Sequence, residues 1–332
     1  YANVRGVYTN TNPTDAYRGA GRPEAAYLIE RLIDKAAKKV GISPLEIRNI
    51  NLINKESMPF KTALGHTYDS GDFKLNLKQA IKYSDFLNFE NRKNLSLKKH
   101  KFRGIGISTY IEACGGGGPE FSSISVGKNG NIIAKIGTQS NGQGHETAYA
   151  QIISEVLHID IDQIEVFQGN SAEIPKGSGT GGSRSIPVGG SALYKTAENF
   201  ISNSIAILSK YFNVGEQQIY FKNGSFNVLD KKISFVDLVS IAEKLKEKIE
   251  INDEWAPPRG SFTYPNGVHI CELEIDQYTG KTEVLSYTVV DDFGKVINPI
   301  LLEGQVHGGI AQGIGQALYE ETIYDDETGQ LM

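Results

Sequence analysis

Four glycine-rich segments set the terms for this chain: AYRGAGRPE at residues 16–24, SNGQGHET at 140–147, GSGTGGSRS at 177–185 and EGQVHGGIAQGIGQAL at 303–318. None has the spacing of a nucleotide-phosphate loop. Glycine clusters let a backbone approach a ligand closely and turn its N–H groups toward anionic oxygens. One such loop is an ordinary turn. Four of them, interleaved with Arg, Gln, Ser and Thr along the whole chain, predict one large polar ligand gripped from several sides.

The chain has 332 residues, enough for two domains, and its 39% apolar and 22% charged content is that of a soluble globular protein. A net charge of −5 disfavours nucleic acid as a partner, and Lys93–Lys101 reads as a solvated surface strip. No apolar run has membrane-spanning length, and no secretory signal pattern is present. Cys114 and Cys271 are the two cysteines and neither forms a C-x-x-C cluster, so the chain does not ligate an iron–sulfur centre by itself. A cytoplasmic location is expected. Both ends look cut: there is no initiator Met at Tyr1, and Met332 falls within an expected hairpin, Thr322–Leu331.

The spacing of apolar residues predicts a helix from Pro23 to Gly41, then a second capped by Ser43. A helix is expected over Phe73–Phe86, with no clear periodicity elsewhere in 54–102. Gly104–Ala113 reads as a buried strand, and Cys114-Gly115-Gly116-Gly117-Gly118-Pro119 as the domain crossing, giving domains 1–113 and 114–332. Ser122–Val126 and Ile132–Ile136 form a hairpin around Asn129-Gly130, followed by a helix at Glu146–Leu157 and a strand at Ile164–Gln168. Further hairpins are expected at Ile219–Leu229 around Asn223-Gly224, followed by a helix opened by Ser234, and at Ile270–Ile275 with Thr282–Val290 around Thr279-Gly280, then a small-residue helix, Gly304–Tyr319. The fold class is α+β, mixed sheets with helices packed on one side.

In SNGQGHET a strand runs through Gly142-Gln143-Gly144 into a helix, so unpaired N–H groups and the positive dipole end face an anion, or the glycines simply serve a tight turn. Gln143 can add both a donor and an acceptor there, and His145 reads as a capping or packing residue. Thr180, Ser183, Arg184 and Ser185 stand on a glycine-loosened backbone where Arg184 offers a fork suited to phosphate; a capped surface loop is the alternative. Arg18 precedes the first helix, where a cation is electrostatically disfavoured unless an anionic ligand compensates it. Five glycines inside the last helix cost roughly 1 kcal/mol each against Ala, and close packing against a helix or ligand is the usual compensation. Asp291-Asp292 reads as a strand-end turn rather than a metal site. No zinc, P-loop or serine-hydrolase template fits.

Taken together, GTQSNGQGHETAYAQI and VVDDFGKVINPILLEGQVHGG, with all four loops in order from about Val4 to Glu321, resemble the molybdenum-binding large subunit of the molybdenum hydroxylases. These are xanthine dehydrogenase, aldehyde oxidoreductase and aerobic carbon monoxide dehydrogenase. The resemblance implies two molybdopterin-binding domains, incomplete at both ends, and a molybdenum–molybdopterin cofactor in its cytosine dinucleotide form. It implies that Asn141, Gly142, Gln143, Thr180, Ser183, Arg184, Ser185 and Gln305 bind that cofactor, with the metal held through the pterin and by no side chain of this chain. Tyr17, Arg18, Gly19 and Ala20 fall on the loop that shapes the substrate pocket, and Thr109 and Tyr110 on its wall. The implied reaction is oxidation of an aldehyde or N-heterocycle with water-derived oxygen. Electrons would pass to partner subunits carrying [2Fe-2S] and FAD, in a dimer of heterotrimers.

Two departures from the family pattern matter. Enzymes that oxidise carbon monoxide carry a copper-holding cysteine in the active-site loop, where this chain has Gly19. Gly19 and Ala20 instead leave room for a bulkier organic substrate. The family's catalytic glutamate, in a G-x-G-E segment, would lie past Met332, so no catalytic residue is assigned here and the chain is expected to be inactive alone. The remaining alternatives are a carbon monoxide dehydrogenase large chain and a non-catalytic, cofactor-binding split subunit.

Overall fold

The computed structural model describes every residue except Tyr1, Ala2, Thr14, Gly117 and Arg259; Gly117, within the expected domain crossing, therefore lies outside the described residues. The chain divides into two units, a core unit of Ala26–Ile297 and a terminal unit of Tyr1–Ala25 with Asn298–Met332.

The helices α1 (Arg22–Val40) and α2 (Pro44–Asn51) are separated by Gly41, which takes the left-handed φ of +77° that closes a helix, and by Ser43, whose Oγ accepts the Glu46 N–H at 3.0 Å. The short pair β1 (Phe60–Lys61) and β2 (Thr67–Tyr68) precedes α3 (Phe73–Tyr83). That helix ends three residues before the expected Phe86, because Asp85 turns into the left-handed region at φ +49°. A helix absent from the sequence expectation follows, α4 (Phe89–Leu97). Its Phe89, Leu95 and Leu97 line up on no helical stripe. Arg92 holds it instead, bridging Glu272 at 2.9 Å and Asp85 at 2.8 Å.

A three-stranded antiparallel sheet has the order β12-β11-β3, from β3 (Lys101–Ile111), β11 (Asn266–Asp276) and β12 (Thr282–Asp292). It crosses the boundary expected at 113/114, since β3 pairs with β11 along its full length. Expected as buried, β3 is mostly half-buried, with Ile107 its one buried residue. Leu77 and Ala80 of α3 pack on Ile107, Val268 and Ile270 to form the smaller core. Lys101, at the end of the basic run, is not merely solvated: its Nζ lies 3.1 Å from Glu274.

The second sheet has the order β10-β4-β5-β6. In it β4 (Glu120–Val126) and β5 (Ile132–Ile136) form the expected hairpin, α5 (His145–Leu157) crosses over, and β6 (Ile164–Phe167) returns parallel to β5. A long helix, α6 (Ser191–Phe212), covers β4 and β10 (Glu250–Trp255). Between them a small sheet, β7 (Ile219–Lys222), β8 (Ser225–Val228) and β9 (Lys231–Ile233), leads into α7 (Phe235–Leu245). Ile124, Ile136, Tyr149, Ile153, Leu193, Phe200, Phe226 and Leu238 fill the main core. Helices on one side of mixed sheets is the α+β arrangement expected.

In the terminal unit, α8 (Pro299–Leu318) begins earlier than expected because Asn298 Oδ1 accepts the Leu301 N–H at 3.0 Å and Pro299 occupies the first turn. Of its five glycines, a Cβ at Gly308 would lie 3.7 Å from Arg18 Nη1 and one at Gly315 2.6 Å from Glu320 Oε1, whereas at Gly304, Gly309 or Gly313 it would meet no atom of the described residues within 4 Å. The expected terminal hairpin reduces to one bridge, Tyr324 with Leu331, around a turn that Asp325 closes by accepting from Thr328. No helix among the described residues is long and apolar enough to cross a membrane.

Candidate functional site

The residues singled out from the sequence fall into groups that each lie inside one unit. In the terminal unit the AYRGAGR loop lies on α8. Tyr17 Oη donates to Gln312 Oε1 at 2.8 Å, and Arg18 Nη1 to the Gly308 carbonyl at 2.8 Å. Gln305 is exposed one turn before Gly308 on the same helix. The loop turns sharply, with Gly19, Ala20 and Gly21 at φ +83°, +50° and +89°. Gly19 is required by space as well as by φ, because a Cβ there would stand 2.6 Å from the Pro23 ring.

In the core unit, two of the glycine loops come together. Thr180 Oγ1 donates to the Gln139 carbonyl at 2.6 Å and lies 3.2 Å from Ser185 Oγ. Tyr149 of α5 donates to the Ser185 carbonyl at 3.0 Å, and burial pushes its phenol up to about 12. Gln143 Oε1 accepts the Asn141 N–H at 2.5 Å, folding that side chain over its own loop. His145 is buried, 2.9 Å from Gln168 Oε1 and 5.1 Å from the Tyr149 ring, which makes it a packing residue.

Arg184 differs from its expected posture. Its guanidinium is buried, 3.3 Å from Glu120 Oε2, and donates to the Gly118 carbonyl at 2.9 Å. The fork therefore anchors the loop rather than reaching outward. Glu120 escaped sequence reasoning; its only signal is a carboxylate opening an otherwise alternating strand. Arg184 Nε is buried without a hydrogen-bond partner among the described residues, and burial pushes the Glu120 carboxyl up despite the nearby arginine. Gly115 N–H, shared between the Gly182 and Ser183 carbonyls, ties the same loop to the Cys114–Pro119 segment.

Thr109 and Tyr110 point to opposite faces of β3. Thr109 gives its N–H to Glu30 Oε2 at 3.0 Å and its hydroxyl to Glu30 Oε1 at 3.2 Å. Arg48 clamps that buried glutamate from the other side, at 2.7 Å, and bonds Asp34 and the Ile107 carbonyl as well. This triad was also missed, because Glu30 and Arg48 lie on different helices and no local spacing joins them. Thr109, with Tyr68, Phe73, Asn76 and Asn266, lines an apolar cavity of about 160 Å³. Tyr110 donates to Asp291 Oδ1 at 3.0 Å on the far face, so Asp291 is more than a turn residue.

The core-unit loops leave backbone open to the approach of an anionic group. Gly142, at φ +98°, and Gly179, Gly181 and Gly182 all have open space where a Cβ would stand. The N-terminus of α5 is capped by Gly144, which has no side chain to satisfy it, leaving a dipole end and backbone donors for an anion. Among the described residues, no cluster of three His, Cys, Asp or Glu could hold a metal ion directly.

Two family models, both described as molybdopterin cofactor-binding domain, match residues 1–52 and 76–332. The carbon monoxide dehydrogenase large chain of Hydrogenophaga pseudoflava is 34% identical across 100% of this chain and 44% of its own length. Subunit gamma of the 6-hydroxypseudooxynicotine dehydrogenase complex of Paenarthrobacter nicotinovorans is 31% identical across 98% of this chain and 43% of its own. The crystal structure of quinoline 2-oxidoreductase from Pseudomonas putida 86 superposes with a TM-score of 0.86 at 29% identity, covering 96% of this chain and 43% of that one. The chain thus spans less than half the length of these relatives.

Proposed function

Because this chain belongs to the family of molybdopterin cofactor-binding domains, we propose that it is the cofactor-holding part of a molybdenum hydroxylase catalytic subunit that oxidises an aldehyde or an N-heterocycle. The observation that carries the reading is the pair of loops joined by Thr180 and Gln139, open at four glycines beside the uncapped N-terminus of α5. The bound group supplies a redox-active metal centre able to transfer water-derived oxygen. The chain's own residues hold and orient it. Backbone N–H groups near Gly142 and Gly144 meet phosphate charge, and Asn141, Gln143, Thr180, Ser183 and Ser185 offer polar contacts along the same rim. Arg184 acts from beneath, fixing the loop through Glu120. Within the terminal unit we assign Gln305 to cofactor binding and Tyr17, Arg18, Gly19 and Ala20 to substrate binding; within the core unit, taken by itself, Thr109 and Tyr110 are assigned to substrate binding.

An organic substrate is favoured over carbon monoxide by Gly19. A thiolate there would hold copper, but the left-handed backbone and the Pro23 ring leave no place for a side chain. The cytosine dinucleotide form of the cofactor, an iron–sulfur and an FAD partner subunit, a dimer of heterotrimers and a cytoplasmic site belong to the same proposal. The relatives support the multi-subunit part, being named as a large chain and as one subunit of a complex. Metal and nucleotide analysis of the complex purified with its native partners tests the reading. Molybdenum and released cytidine monophosphate without copper are expected. Copper at parity with molybdenum would return carbon monoxide as substrate, and neither metal nor nucleotide would sink the reading.

A further inference from the structure

One side chain beneath the two glycine loops of the core unit touches both of them. Tyr149, in the second turn of α5, is fully buried. Its hydroxyl lies 2.9 Å from that of Thr138, just before the SNGQGHET loop. On the other side it donates at 3.0 Å to the carbonyl of Ser185, which closes GSGTGGSRS. A phenol has one proton to give, and a carbonyl can only accept. Thr138 is therefore the donor to Tyr149, and the three groups form a one-way chain from Thr138 through Tyr149 to Ser185. Burial pushes the phenol up to about 12, so the donor is in place at neutral pH. The ring is held as well. His145 packs on it at 5.1 Å between ring centroids, and a Cβ on Gly189, in the π-helical turn Ser185–Gly190, would stand 2.8 Å from the hydroxyl. At the entrance of the second loop, Gly137 and Gly177 pass so closely that a Cβ on either would overlap the other's backbone. In its middle, Thr180 donates to the Gln139 carbonyl. At its far end, Arg184 is fixed to Glu120 of β4 rather than to the first loop. Tyr149 adds the tie from that far end back to Thr138, where the first loop leaves β5.

We propose that Tyr149 is a positioning residue for the cofactor, setting the separation between the loop that follows β5 and the loop that ends at Ser185. The role toward the cofactor rests on the reading of these loops as its holders; the loop separation itself does not. A ligand gripped from two loops gains from both only when they already stand at the right distance. With the Ser185 carbonyl held by the phenol, Thr180, Ser183 and the open glycines Gly179, Gly181 and Gly182 keep a fixed offset from Gly142. Without the hydroxyl, a buried carbonyl loses its donor and a buried threonine hydroxyl its acceptor, and the second loop shifts to recover partners.

Tyr149→Phe removes the hydroxyl and keeps the ring. Hydrogen exchange followed by mass spectrometry, on the complex purified with its native partners, should show amides of residues 177–185 exchanging roughly five- to tenfold faster than in the parent. Those of β4 and β5 should be unchanged. Unaltered exchange in 177–185, or equal acceleration in β4 and β5 as general loosening would produce, overturns the proposal. Thr138→Val spares the core ring and should accelerate the same segment. Because the Thr138 hydroxyl acts on Ser185 through the phenol, the double variant should match Tyr149→Phe alone there; additive acceleration overturns the linkage. On the cofactor side, molybdenum and nucleotide retained by the Tyr149→Phe complex after gel filtration should fall below the parent's. Per molybdenum retained, kcat should fall with KM unchanged, since these loops hold the cofactor and not the substrate. Faster exchange with undiminished retention and kcat overturns the positioning role. A parent complex without molybdenum and nucleotide overturns the cofactor reading and that role with it, while the exchange results still decide the loop linkage.

Discussion

Gly19 shows how much one residue decides. Its φ of +83° and the 2.6 Å gap to the Pro23 ring exclude any side chain without rearrangement of the loop. Gly19→Cys is therefore expected to lower the thermal midpoint and to recruit no copper, checked by differential scanning calorimetry and metal analysis. A variant of unchanged stability that binds copper would contradict the geometry. Arg48 carries a different kind of weight. It neutralises buried Glu30, which in turn holds both the N–H and the hydroxyl of Thr109. Arg48→Met leaves that carboxylate without its cation, and a loss of about 3–5 kcal/mol is expected in urea denaturation. Neither Glu30 nor Arg48 stands out in the sequence, because each lies in an ordinary charged stretch and only packing brings them together.

Elements differ in how they announce themselves. Helix α7 was legible because Ser234 accepts the Asp237 N–H while the Asp237 carboxylate takes the Ser234 N–H and hydroxyl, a reciprocal cap written in local sequence. Ser234→Ala should cost about 1 kcal/mol of stability by chemical denaturation. The same hydroxyl and N–H hold the Asp237 carboxyl below its usual range. Its stabilisation is thus present above the unfolded pKa and lost as pH falls through the folded value, so Asp237→Asn should flatten the acid side of the stability profile. A profile that keeps the parent's acid slope would refute this assignment. Helix α4 was illegible for the converse reason. It has no apolar stripe, and its anchors, Glu272 and Glu274, lie more than 170 residues away in sequence, reached by Arg92 and Ser96.

At the scale of the whole molecule, the main core joins a four-stranded sheet to α5, α6 and α7 through a few large side chains. Phe200 is fully buried and packs edge-on against Phe235 at 5.8 Å, connecting α6 to α7. Phe200→Ala should destabilise the chain by about 3–5 kcal/mol, read from the denaturant midpoint; a loss under about 1 kcal/mol would show that the site collapses around the gap.

Local order settled what the sequence by itself determined here: hairpins at Asn129-Gly130, Asn223-Gly224 and Thr279-Gly280, helices with capping residues, and glycine loops whose composition and order marked the family. Turn chemistry and helix caps act within about four residues, so they are written in the sequence where they act. Tertiary structure alone decided that Arg184 turns inward to Glu120, that Thr109 belongs to Glu30, that β3 joins β11 across the expected boundary, and that Tyr110 meets Asp291. In each case the partners are tens to hundreds of residues apart. A side chain's partner is chosen by which groups are buried beside it, and burial is a property of the packed fold rather than of any local pattern.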